Sequence, residues 1–448
     1  MGHFAYSRAD FEELCQLALR EARQAGASDA AVEVSEGQGL SVNVRRGRVE
    51  QVEHNTDKGL EITVYAGQRR GHASTSDFSA QAIRSAARAA FDIARYTAED
   101  DCAGLPEAEL LARRVRDPGL YHPWDPSVEQ AVELARRAED AAFATDRRIR
   151  NSEGASVSAQ QMHFLLANSR GFSAGYASSR HSLSCVPIAG KGNDMQRDYW
   201  WSSRRDATQL AQPEALGRYA AERALARLRA RRLPTGQYPV LLEAPLAAGL
   251  IGSLVHAVSG GSLYRKTSFL CDSLGKPVLA GHLDLLEDPT IPDGMGSAPF
   301  DDEGVRTRRR RVVRGGVLEG YFLSTYSGRK LGLPTTGNSG GSHNLSLSSR
   351  RTAPGDDLPA MLRKLDRGLF VIELIGHGIN YVTGDYSRGA MGFWVEGGQI
   401  QYPVHEITIA GNLRDMLLGI RAVGADVQVS GSRRTGSVLL ESMTVAGS

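Results

Sequence analysis

The sequence predicts an α+β fold, with an N-terminal helix-and-sheet portion and a β-rich C-terminal domain. Residues 31–52 and the stretch after them alternate apolar and polar side chains, as half-buried strands do. Residues 7–25 and 79–96 flank these strands and repeat apolar side chains at helical spacing. From about residue 238 onward the chain is rich in Gly, Val, Ile and Ser, which favours short strands and turns.

Capping residues, turn residues and side-chain periodicity predict where the individual helices and strands begin and end. Ser7 or Asp10 can cap the first helix and Gly26 can end it, while turns fit at 46–47 and 66–67. The same patterns predict a linker at 97–126, a helix at 127–144, strands at 150–189, a charged helix at 213–230 and a buried helix in GLIGSLVHAVSG.

The length predicts more than one domain, because 448 residues are too many for one ordinary hydrophobic core. We expect an N-terminal α+β domain at 1–100 and a central segment at 120–232 that completes the N-terminal half. A C-terminal β-rich domain at 236–448 follows the stretch ARRLPTGQYPV, which has the composition of a boundary.

Composition argues against several classes of protein. The formal net charge is +2, so no global field attracts nucleic acid or an acidic membrane. The four cysteines stand singly, at Cys15, Cys102, Cys185 and Cys271, and favour neither a zinc ribbon nor a disulfide framework. No apolar run has the length of a signal peptide or a membrane span. We therefore expect a cytoplasmic protein with no nucleic-acid or membrane partner.

Local motifs supply no complete active site. His405-Glu406 is the one His-Glu dipeptide, but no histidine follows four or five residues later, and its alternating strand pattern sends the two side chains to opposite faces. Glu373 and His377 are spaced to share a helical face, yet the flanking glycines disfavour a helix and favour a loop or interface histidine. His256, alone in an apolar helix, is typical of a core residue.

Nucleophile and phosphate motifs are also missing. No G-x-S-x-G elbow occurs between a strand and a helix, and no Walker lysine follows the Gly/Ser-rich segments SGGSLYRK and NSGGSHN. The basic run at 308–311 is typical of solvated surface.

Long irregular segments carry a resemblance instead. In chain order they are NSRGFSAGYASSRHSLSC, DMQRDYWWSSRRD, SGGSLYRKTSFL, APFDDEGVRTRRR, YFLSTYSGRKLGLPTTG and the block GLFVIELIGHGINYVTGDYSRGAMGFWVEGGQIQYPVHEITIAGNL. They resemble successive signature blocks of the TldD/PmbA peptidase family, and the N-terminal layout fits as well. The resemblance covers nearly the whole chain, and strings such as VTGDYSRGA do not arise from composition or periodicity.

The family has two forms, and the resemblance decides which of them this chain is similar to. TldD-type chains carry an HExxxH helix and a later Cys-Gly that hold zinc, whereas TldE/PmbA-type chains lack these residues and pair with a TldD-type chain. Counting back from Arg265-Lys266, which matches an Arg-Lys of the family, the two histidines fall on Gly252 and Ala257 and the glutamate on Ser253. The closing Cys-Gly corresponds to Thr435-Gly436. The resemblance therefore implies no catalytic residue, metal or cofactor in this chain, with zinc in the TldD-type partner.

The implied activity is that of a heterodimeric metallopeptidase that degrades or trims unfolded peptides, including leader-peptide removal, with this chain as the non-catalytic subunit. The C-terminal domains of the two chains are expected to face each other around a peptide chamber. We expect chamber or interface residues, each with an ordinary turn or surface position as the alternative, at Ser259, Gly260, Gly261, Ser262, His343, His377, Asp385 and Arg388.

Two alternatives stay open. A stand-alone metallopeptidase would need a displaced metal site built from His377 with Glu373, His256 or His343. A peptide-binding module would hold unfolded peptide without any cleavage that depends on a partner. The sequence also leaves open whether the isolated chain forms a homodimer.

Overall fold

The computed structural model describes residues 4–447 and has three β-sheets covered or joined by helices. The predicted α+β class is confirmed, and the C-terminal part is rich in strands as expected. Residues 1–3 and Ser448, at the outer limits of the predicted domains, lie outside the described residues. None of the helices in the described part of the chain is both long and apolar enough to cross a membrane.

From residue 4 onward, the described N-terminal half contains four α-helices and eight strands. They are α1 (Arg8–Ala25), β1 (Asp29–Arg45), β2 (Arg48–Ala66), β3 (Arg69–Thr75), α2 (Ala80–Tyr96), α3 (Val128–Thr145), β4 (Ile149–Asn168), β5 (Ser173–Ala174), β6 (Ala177–Ala189), β7 (Gln196–Arg197), β8 (Trp200–Arg204) and α4 (Pro213–Ala226).

One antiparallel sheet unites this half. Its main order is β3-β2-β1-β4-β6-β7, with β5 added to β4 and β8 to β6. β1 pairs with β2 across the predicted turn at Arg46-Gly47, and with β4 from Ala31–Asn168 to Val44–Ala155. The segments before and after the linker therefore contribute neighbouring strands to the same sheet.

Helices cover this sheet in two pairs with separate cores. α1 and α2 pack around Phe11, Leu60 and Ile83, whereas α3 and α4 pack over the other end of the sheet. The first helix begins and ends as predicted, because Ser7 and Asp10 form a reciprocal cap and Gly26 adopts a left-handed conformation.

Glu139 of α3 connects the second helix pair to the sheet. Its carboxylate is fully buried and accepts hydrogen bonds from the backbone N–H groups of Arg46 (2.9 Å) and Gly47 (2.8 Å). The turn between β1 and β2 is thus held by a residue from beyond the linker.

The C-terminal part, as described up to residue 447, contains five α-helices and twelve strands. They are β9 (Gly236–Leu242), α5 (Ala244–Ala257), α6 (Gly260–Tyr264), β10 (Leu283–Asp288), β11 (Arg310–Arg314), β12 (Val317–Leu318), α7 (Thr325–Leu331), β13 (Asn344–Ser349), α8 (Leu358–Leu365), β14 (Gly368–Ile375), β15 (Asp385–Glu396), β16 (Gln399–Asn412), α9 (Leu413–Leu418), β17 (Ile420–Val423), β18 (Gln428–Ser430), β19 (Arg433–Thr435) and β20 (Val438–Ala446).

These strands form two six-stranded sheets with α5 packed in their shared core. The orders are β12-β11-β10-β13-β19-β18 and β16-β15-β14-β9-β20-β17, and an additional pairing of β16 with β20 closes five strands of the second sheet into a ring. Leu254 of α5 belongs to the same buried cluster as Leu285 of β10 and Val240 of β9. α5 is therefore anchored on the sheets along its apolar side.

Candidate functional site

The four positions that the resemblance assigns to the zinc motif lie where α5 meets β19. Gly252, Ser253 and Ala257 are on α5, and the short strand that contains Thr435 packs against this helix. The Ser253 hydroxyl donates within its own helix to the carbonyl of Gly249 (3.4 Å), and the buried Thr435 hydroxyl donates to the carbonyl of Gly436 (3.0 Å). Both hydroxyls are thus engaged by nearby backbone.

Arg433 fills the space in front of Gly252. A Cβ placed on Gly252 would lie 2.6 Å from Nη1 and 2.8 Å from Cζ of the Arg433 guanidinium. Arg433 and Thr435 are two residues apart on a strand, so they face the same side. The absence of a side chain at residue 252 therefore allows a cation to lie where the family's first zinc ligand is expected.

This guanidinium has no partner within residues 4–447. Its Nε is buried without a hydrogen-bond acceptor, and no carboxylate forms an ion pair with it in that part of the chain. Burial lowers the pKa of Arg433, an effect that the neighbouring Tyr381 opposes. The Tyr381 ring in turn contacts the exposed His256, with ring centroids 4.0 Å apart. We call Gly252, His256, Tyr381 and Arg433 the Arg433 cluster.

The cluster does not fit a zinc ion. Structural and catalytic zinc sites use several imidazole, thiolate or carboxylate ligands, whereas this cluster has one imidazole and a fixed cation. Throughout residues 4–447, no group of three or more His, Cys, Asp or Glu side chains is arranged to hold a metal ion. His256 is exposed on the open side of α5, so its interpretation as a core residue is wrong.

The residues that a stand-alone metallopeptidase would need for a displaced metal site do not lie close together. Glu373 and His377 do not share a helix, as the flanking glycines indicated, because Glu373 lies on β14 and His377 follows that strand in an exposed loop. The Glu373 carboxylate accepts from Arg227 at 2.6 Å. His343 is buried elsewhere and lies within hydrogen-bond distance of the carbonyls of Gly296 and Gly337.

His405 and Glu406 lie on a strand, as predicted, but that strand is bulged. The register of β16 shifts at this point and Glu406 has a φ of 51°, so simple alternation of faces does not hold. The Glu406 carboxylate accepts from Nε of Arg232 at 2.9 Å.

The first group of predicted chamber residues surrounds the start of α6. Ser259 precedes the helix, and its hydroxyl donates to the carbonyl of His256 (2.9 Å) and to the hydroxyl of Ser262 (3.1 Å). Gly260 packs so closely on α7 that a Cβ there would lie 2.2 Å from Oγ of Ser327. Gly261 stands beside the Arg265 guanidinium. This loop follows α5, which carries Gly252 and His256 of the Arg433 cluster.

A second group lies at one end of the β14–β15 pair. Asp385 begins β15 and accepts from the Thr383 hydroxyl at 2.6 Å, while Nη2 of Arg388 donates to the Leu374 carbonyl at 3.4 Å. His377 belongs to the same end, because its neighbour Gly378 pairs with Ser387 through the backbone. The structure separates His343 from this group, and the roles of all eight residues stay predictions.

Sequence reasoning missed a cleft between the two halves. A cavity of about 860 Å³ is lined by both halves and by several carboxylates, among them Glu33, Glu61, Asp302 and Glu303. Burial, with the charges of Asp302 and Glu61, raises the pKa of Glu33 to about 7. Burial also raises the pKa of Asp301, in an adjoining cavity, to about 7. No sequence signal links these residues, because they come from β1, from β2 and from a loop of the C-terminal half that is distant in the chain.

Three family models match the chain in order. They describe PmbA/TldA metallopeptidase domain 1 at residues 30–94, the central domain at 121–228 and the C-terminal domain at 235–447. The chain belongs to the PmbA/TldD family. The metalloprotease PmbA of Escherichia coli O157:H7 is 48% identical over 98% of this chain and 97% of that protein. The resemblance seen in the sequence is thereby confirmed, and the chain is metalloprotease-like by family.

Solved structures show the same architecture. A Bacteroides thetaiotaomicron protein, named as a candidate modulator of DNA gyrase, superimposes with a TM-score of 0.90 and 26% identity, covering 98% of this chain and 99% of that one. TldE from Thermococcus kodakarensis gives a TM-score of 0.81 at 19% identity, covering 98% of this chain and 100% of that one. This second likeness shows a shared fold.

Proposed function

We propose that this chain is the non-catalytic, TldE/PmbA-type subunit of a cytoplasmic two-subunit metallopeptidase that degrades or trims unfolded peptides. The observation that carries the proposal is the Arg433 guanidinium in front of Gly252. A fixed positive charge at this place repels a divalent cation instead of binding it. In the proposal, zinc and the water-activating carboxylate come from a TldD-type partner.

The other motif positions also support a non-catalytic role for this chain. A zinc peptidase needs a general base beside the metal-bound water, and a serine hydroxyl bonded within its own helix cannot take that role. Ala257 and Thr435 offer neither an imidazole nor a thiolate. What this chain contributes in the proposal is the shape and polarity of the chamber wall that holds an extended peptide.

The test compares separate and mixed subunits. This chain and a TldD-type protein are purified apart, and each sample is assayed for zinc by elemental analysis and for cleavage of a fluorogenic unstructured peptide. We expect no stoichiometric zinc and no cleavage from this chain alone, and chelator-sensitive cleavage after mixing.

Variants at His256 and His377 separate this proposal from a displaced metal site. The proposal expects His256→Ala and His377→Ala to leave zinc content unchanged, because neither residue is a ligand. Zinc-dependent turnover by the isolated chain, lost in either variant, would contradict it. Peptide binding with no cleavage in any mixture would instead identify a peptide-binding module.

A further inference from the structure

Among the residues that the structure describes, Arg433 is a partly buried cation with no anionic partner. Other enclosed arginines of this chain have acceptors: Arg223 binds Glu243 at 2.6 Å, Arg310 binds Glu287 at 2.7 Å, and Arg205 donates to three backbone carbonyls. The Arg433 guanidinium has no such partner within residues 4–447, and its Nε is buried without an acceptor. A charge removed from water without a partner is unfavourable, so the site is suited to an anion from outside the chain.

The surroundings of the guanidinium favour a planar anion. Gly252 lets it lie against α5, while β19 fixes its direction through the buried Thr435 on the same face. The Tyr381 hydroxyl and the ring nitrogens of His256 also have no hydrogen-bond partner within residues 4–447, and the two rings are in contact. Two further polar groups are thus free beside a guanidinium, whose N–H groups match a carboxylate in two-point geometry.

We infer that the Arg433 cluster is a carboxylate-binding site for a peptide ligand, with Arg433 as the anchor. The carboxylate is the free C-terminal group of the peptide or an acidic side chain, because both present the same two oxygens. The peptide part of this inference rests on the proposed function, whereas the preference for a carboxylate rests on the geometry of the cluster.

The test measures peptide binding to the full chain alone by fluorescence anisotropy. Three labelled unstructured peptides of one sequence are compared: a C-terminal acid without acidic residues, its C-terminal amide, and the amide with one internal glutamate. We expect at least one carboxylate-bearing peptide to bind about tenfold or more tightly than the plain amide, as suits a charge-assisted two-point contact. A gain for the acid alone assigns the site to the C-terminus, and a gain for the glutamate peptide assigns it to side chains.

Two matched variants locate the effect. Arg433→Met keeps side-chain length and removes the charge, so we expect it to abolish the preference. Arg434→Met is the control, because Arg434 is the exposed neighbour on the same strand and should leave the preference intact. Circular dichroism and thermal melting confirm that both variants are folded.

Several results would overturn the inference: equal binding of all three peptides, no binding of any, or a preference that survives in folded Arg433→Met. The proposed function fails separately. Cleavage only in the mixed sample, with no carboxylate preference, keeps the subunit role and removes the site. A carboxylate preference in a chain that holds its own zinc keeps the site and removes the subunit role.

Discussion

Restoring the zinc motif should not restore zinc binding while Arg433 remains. The perturbation is the quadruple variant Gly252→His, Ser253→Glu, Ala257→His and Thr435→Cys. Nη1 of Arg433 lies 2.6 Å from the Cβ position of residue 252, so the flexible guanidinium must shift slightly to admit the new histidine. We take a metal bound there to be roughly 4 Å from the shifted charge. Repulsion between a divalent and a single charge at that separation is about 2 kcal/mol in bulk water and about 8 kcal/mol at an effective dielectric constant of 20.

Even the smaller repulsion raises the Kd for zinc by roughly 30-fold, because each 1.4 kcal/mol changes Kd by a factor of ten. The assay is competition against a chelator of known affinity, with elemental analysis of the dialysed protein. Adding Arg433→Met to the quadruple variant should tighten zinc binding by at least this factor, whereas adding Arg434→Met should not. Equal zinc affinity with and without Arg433 would refute the reasoning.

Three further predictions concern buried charges. Arg223→Met should lower the free energy of unfolding in urea by about 3 kcal/mol, because Glu243 is left buried without its 2.6 Å partner, and a loss below about 1 kcal/mol would contradict this. Glu139→Ala should lower the free energy of unfolding by about 2 kcal/mol, because two backbone N–H groups lose their acceptor. Glu139→Gln should lower it by less, because the amide oxygen can still accept, and equal losses would contradict this. The raised pKa of Glu33, about 7, means that its stabilising contribution is present below the unfolded pKa and is lost as pH rises through 7. Glu33→Gln should therefore raise Tm at pH 8 and not at pH 5, and a shift that is the same at both pH values would count against it.

Features encoded by a few neighbouring residues could be predicted from the sequence. The cap at Ser7, the end of the first helix at Gly26 and the turn at Arg46-Gly47 all lie where local chemistry puts them. The strand at Gly368–Ile375 was harder, because a short apolar run fits a helix or a strand equally well. Its identity is decided by parallel pairing with β9, a contact between residues distant in the chain.

The sequence could predict which positions form the candidate site, but not which side chain fills the space between them. Family resemblance located Gly252 and Thr435, and the helix and strand that carry them are in contact. The resemblance did not reveal Arg433, whose significance depends on the space beside a glycine of another element. Strand alternation from Thr435 would have put Arg433 on the same face. His256 was misjudged because an apolar helix sequence does not show which side is left uncovered.

The pairing of β1 with both β2 and β4 sets a limit on how this chain can be cut. A fragment that ends in the 97–126 stretch lacks β4, so one edge of β1, from Ala31 to Val44, has no backbone partners. A fragment with such a long open edge is prone to aggregate by strand addition. The smallest piece of the N-terminal half that can be expressed intact is therefore the one that runs through α4, although separate sequence models divide it in two.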